Sequence, residues 1–184
     1  YITGRAWGMP ARFVCVRVGL RTYGEVHSND DFHSEDVEEM KSDMAFFAGS
    51  IAAEKMFGII PNEGRDGDTG GMNQLAERLV ACGERHHLKR LSLLSATREE
   101  HLDVMMSQKM LEAYEKDLAR HIRAGRKRAR ETLKFFGKKL IKRVSDVLAK
   151  VPTGVMLQSE LDPLLEPKLS QFHRIHKVKD RIDN

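Results

Sequence analysis

Cysteine is scarce in this chain: Cys15 and Cys82 are the only two in 184 residues. They form neither a disulfide framework nor a C-x-x-C motif. Long apolar runs are missing as well. The longest candidate, MAFFAGSIAA from Met44, is interrupted by Gly49 and Ser50 and falls short of the ~18 residues a membrane span needs. No membrane span is therefore expected. No secretory leader pattern stands at Tyr1, and a cytoplasmic setting is the expectation. G-x-x-x-x-G-K-[ST] occurs nowhere, which excludes a phosphate-cradling P-loop within these residues.

Charge, by contrast, is plentiful. The 31 Lys and Arg outnumber the 27 Asp and Glu, and the mean hydropathy of −0.46 predicts a soluble chain. The length suits one domain with a real core. The charge is also unevenly placed: 30–54 is acidic and 121–150 basic, an asymmetry that raises nucleic acid as a partner. Through the basic stretch, however, Leu133, Phe136, Leu140, Ile141, Val144, Val147 and Leu148 recur at helical spacing. That pattern describes a docked amphipathic helix with a solvated basic face. Few aromatics are free for base stacking, so nucleic acid is the disfavoured partner.

Residues 1–9 read as the tail of a helix ended by Pro10, with Trp7 packed on the domain body. The stretch 12–18 alternates, Val14, Val16 and Val18 facing one way, and 23–27 can pair back on it as a hairpin. A helix then starts near Ser34 or Glu35, with acids in its first turn and Met40, Met44, Phe47 and Ile51 on one stripe. NEGRDGDTGG reads as a loop that delivers a side chain. The next helix buries Met72, Leu75, Ala76, Leu79 and Val80 and stops at Cys82-Gly83.

Thr97 to Glu100 forms a capping box. It opens a helix whose Leu102, Met105, Met106, Met110, Leu111, Tyr114 and Leu118 make a core face through Arg120. Gly125 reads as a joint or bend, after which the basic helix runs to Pro152. TGVMLQSELDPLL is a turn and a short closing helix. Beyond Pro167 no periodic apolar face remains, so 167–184 reads as a polar basic tail, flexible or tied to a partner. The fold class is mainly α with a small N-terminal β-hairpin, in one domain spanning 1–166.

AGSIAAEKMFG resembles the Gly-x-x-Ala-Glu-Glu-hydrophobic-Phe-Gly segment of the FtsH-type zinc peptidases, the protease domains of membrane-tethered AAA proteases. In the family a T-G-A-S-N-D stretch then opens a helix, and GDTGGMNQLAERLV is similar to that. FVCVRVG with YGEVH resembles the strand pair before the first helix, and LQSELDPLL resembles the closing segment. The resemblance covers residues 1–166. It implies a helical peptidase domain that hydrolyses protein and peptide substrates with zinc, a hexameric ring, and an AAA ATPase motor upstream or on another chain.

By that resemblance Asp68 is the third zinc ligand. Asp66 is the backup if the loop alignment shifts, and Glu54 inherits at most a supporting role. An Asp before Thr-Gly-Gly is also a good helix N-cap, and Glu54 is equally readable as an exposed helix residue. The family's H-E-A-G-H, with two His ligands and a general-base Glu, is missing from these residues. ITGRAWGMP resembles the family's segment on the C-terminal side of that motif, so the catalytic Glu is expected upstream of Tyr1, the chain beginning mid-protein. A zinc ion held by two His and Asp68 would keep one position open for an activated water. The remaining histidines receive no ligand role: His27 at a strand end, His33 in the acidic loop, and His86 and His87, which as neighbours point apart. A catalytically dead scaffold of the same fold, or a basic nucleic-acid-binding module, are the rival readings.

Overall fold

The computed structural model describes residues 1–17, 23–27, 36–60, 65–82 and 108–178. Among these are seven helices and a three-stranded sheet: α1 Ile2–Ala6, β1 Phe13–Arg17, β2 Tyr23–His27, α2 Val37–Phe57, α3 Arg65–Ala81, α4 Gln108–Phe136, α5 Lys138–Lys150, β3 Val155–Leu157, α6 Gln158–Leu165 and α7 Lys168–His176. The protein is mainly helical with a small antiparallel sheet near its N-terminus, as the periodicity predicts. His33, His86, His87, the Thr97 capping box and Leu102, Met105 and Met106 lie outside the described residues.

Asp36 starts α2 by accepting the backbone N–H groups of Glu38 at 2.7 Å and Glu39 at 3.0 Å, satisfying donors that a helix start otherwise leaves open. Gly58 ends it with φ 70°, its N–H bonded to the Glu54 carbonyl. Only a residue tolerant of the left-handed region closes a helix in this way. Helices α2, α3 and α4 pack on one another around Met40, Met44, Met72, Leu75, Leu133 and Phe136. Each such buried side chain contributes about 1.5–3 kcal/mol over its exposed state.

The sheet has the order β2-β1-β3, with both pairings antiparallel. The third strand is a departure from the expected hairpin. Val14 pairs with Val26 on one side and Met156 on the other. Val14 and Cys15 are both buried, so neither face of β1 is open at that point and the alternation does not translate into one wet face.

Three further expectations give way. The helix break falls at Gly137 (φ 81°) rather than Gly125, which is buried within an unbroken α4. The loop expected through NEGRDGDTGG is helical from Arg65, placing Asp66 and Asp68 in the first turn of α3. There their charge is favoured by the helix dipole, and Asp68 is not an N-cap. The tail expected beyond Pro167 instead forms α7, with Leu169 and Phe172 at 4% and 2% exposure. Two buried residues three apart suffice to dock a helix this short, and they escape a search for longer periodicity. Among the described residues no helix is long and apolar enough to cross a membrane.

Candidate functional site

Small residues let α1 lie close on α2. A Cβ on Gly49 would collide with the Thr3 hydroxyl, and one on Gly4 would come within 2.9 Å of the Phe46 ring. In the same way α3 sits on α2 where Gly71 faces the Phe47 ring at 2.6 Å from a would-be Cβ. These approaches bring the start of α1, the middle of α2 and the first turn of α3 to one place. The result is a cleft of about 760 Å³ whose walls include Tyr1, Val26, Phe46, Ser50, Asp68 and Leu148.

Asp68 and Glu25 are the half-buried acids among the described residues lining that cleft. Ser50, on the facing side of α2, donates its hydroxyl to Asp68 Oδ2. Burial pushes the Asp68 carboxyl above the ordinary carboxylate range, and the negative charge of Glu54 pushes the same way. The Ser50 bond and the Tyr1 α-amine pull it back. That amine is itself pushed down to about 6 by burial, against the attraction of Asp68.

A second set of contacts holds the start of α1 in place. Arg5, 6% exposed, donates from Nε to both Asp162 oxygens at 3.1 Å and pairs through Nη2 with Oδ2 at 3.0 Å. Its Nη1 donates to the Met9 carbonyl at 2.8 Å. Tyr1 donates its phenol to Asp162 Oδ1 at 2.5 Å, and Gln158 donates to Oδ2 at 3.1 Å. Burial, reinforced by Asp162, raises the Tyr1 phenol far above its usual range. Breaking a part-buried ion pair leaves a charge without its partner, so Arg5 and the Tyr1 phenol together anchor α1 to α6.

Of the residues singled out in the sequence, Asp68 lines the cleft, Glu54 lies near enough for its charge to act on Asp68, and Asp66 is exposed in the same helical turn. His27 ends β2 opposite Phe13. Among the described residues no group of three or more His, Cys, Asp and Glu side chains could hold a metal ion. The described residues by themselves therefore do not make up a zinc site. Ser50 was legible in principle, since it lies one helical turn before Glu54 and shares its face. The Arg5–Asp162 pair, 157 residues apart in sequence, had no local signal. Searched against protein-family models and against curated proteins, the chain matches none.

Proposed function

We propose that the chain is the greater part of a zinc-dependent metalloendopeptidase domain of the FtsH type, with Asp68 as one metal ligand. The other two ligands, and a general-base Glu, would come from an H-E-x-x-H immediately preceding Tyr1. One observation supports this reading: Tyr1 and Asp68 line the same cleft. A residue joined to the Tyr1 nitrogen enters beside Asp68.

Within the reading, this chain's residues have definite tasks. Asp68 supplies a carboxylate, Ser50 orients it, and the Tyr1–Asp162 hydrogen bond holds the end of α1 from which the upstream residues would project. A zinc ion bound there supplies Lewis-acid activation of water. The apolar cleft walls suit an unfolded polypeptide substrate, and an AAA ATPase ring, commonly hexameric in the family, would deliver it. Cytoplasmic residence, with a membrane tether elsewhere in the parent protein, belongs to the same proposal.

The test is the coding sequence upstream of Ile2, together with a metal assay of the protein extended to include it. The expected outcome is an H-E-x-x-H, about one zinc per chain, and loss of both zinc and peptide hydrolysis in Asp68→Asn. Absence of the motif, with no zinc bound, would overturn the peptidase reading and leave the fold as an interaction scaffold.

A further inference from the structure

The outer face of α4 carries six cations in single file: Lys116, Arg120, Arg123, Lys127, Arg130 and Lys134, all exposed. They are spaced 4, 3, 4, 3 and 4 residues apart, so each lies one turn beyond the last on a single helical face. Over the 18 residues from first to last the row extends about 27 Å. Among the described residues only one of the six has a carboxylate partner, Lys127 at 3.9 Å from Glu131. Beyond the Gly137 break, α5 adds exposed Lys139, Lys142, Arg143 and Lys150. A helix needs no such row to dock, because its attachment is supplied by Gly125, Ala129, Leu133 and Phe136 on the opposite face.

We propose that this row is a binding surface for the phosphate backbone of nucleic acid. Neighbouring cations on the face stand about 5–6 Å apart, a periodic line of positive charge suited to a linear polyanion. An anionic membrane fits less well. The apolar residues of α4 and α5 are turned into the core, leaving nothing along the row to enter lipid. An acidic protein fits less well too, since the row contains no aromatic or aliphatic anchor of the kind that concentrates binding energy between proteins. The same lack of aromatics along the row removes base stacking. Binding should therefore be indifferent to sequence and governed by counterion release. This surface lies on another element from the Asp68 cleft, and the inference stands or falls apart from the peptidase reading.

The experiment is fluorescence anisotropy of labelled single-stranded and duplex oligonucleotides, DNA and RNA, titrated with the whole chain between 50 and 200 mM salt. Phosphatidylserine vesicles and polyglutamate run as competitors. Binding should weaken steeply with salt. The triple variant Arg123→Gln, Arg130→Gln, Lys134→Gln should lose at least about tenfold in affinity, and its log–log salt slope should fall by about 2–3, close to one per cation removed. A control triple off the row, Lys55→Gln, Arg174→Gln, Lys177→Gln, should bind as the parent does. Single Arg130→Gln carries the same test, with a slope change of about 1, should the triple variant melt early. No binding at 50 mM salt, an unchanged slope in the row variants, or equal competition by vesicles or polyglutamate would overturn the proposal.

Discussion

At the scale of single residues, Asp68 is placed at some cost to the fold. Its carboxyl is held above its ordinary range, chiefly by burial. Folding therefore favours the protonated form, so the group's contribution is fullest below its unfolded pKa and is lost as pH rises through the higher folded value. At neutral pH the carboxylate is thus a destabilising charge in the metal-free chain. Asp68→Asn removes that charge and can still accept the Ser50 hydroxyl bond. We expect the variant to melt at a higher temperature than the parent at pH 7, with the difference narrowing toward pH 4. A lower melting temperature at pH 7 would show that Asp68 serves stability instead.

At the scale of elements, the glycines of α3 and α4 separate into two groups that sequence cannot distinguish. Gly125 meets Met44, and Gly71 meets Phe47, where a methyl group would overlap the neighbour. Gly67 and Gly70 have nothing within 4 Å. Gly125→Ala should therefore destabilise by about 1–3 kcal/mol through overpacking, despite alanine's better helix propensity. Gly70→Ala should stabilise by about 0.5–1 kcal/mol through that same propensity. Urea unfolding of the two variants reads both signs. The close approaches also explain two misreadings of the sequence. Gly125 has the composition of a bend, and GDTGG that of a loop, because glycine permits either a turn or a tight helix crossing. The deciding neighbours, Met44 and Phe47, come from α2.

At the scale of the whole molecule, α7 is part of the core through Leu169 and Phe172. Phe172 of α7 stands edge-on to Trp7 of α1, with ring centroids 5.3 Å apart, and packs beside Phe135 and Phe136. Trp7 in turn donates to the Thr132 hydroxyl at 3.0 Å and lies under the Arg128 guanidinium at 4.2 Å. Lys168 donates to the Phe135 and Phe136 carbonyls at 2.8 and 3.0 Å, closing the C-terminal end of α4 with positive charge where the helix dipole favours it. Phe172→Ala should cost about 3–5 kcal/mol in denaturant unfolding, whereas a loose tail would show no change.

What the sequence determined by itself was local and periodic. The Met40–Met44–Ile51 stripe, the Met72–Val80 stripe and the Leu133–Leu148 stripe all face the core, because a 3.6-residue repeat of apolar side chains has one favourable way to bury itself. The antiparallel pairing of 13–17 with 23–27 was legible for a similar reason, two short alternating runs being close in the chain. Asp68 was singled out in the sequence through the family resemblance alone. Tertiary structure alone decided its surroundings: the Ser50 bond, the nearness of Tyr1 and the apolar cleft. It also decided the pairing of β3 with β1, the docking of α7 and the Arg5–Asp162 anchor. Each of these joins segments with no shared periodicity, the β3–β1 and Arg5–Asp162 contacts across more than a hundred residues, and what selects them is the fit of surfaces that exist only once the helices have packed.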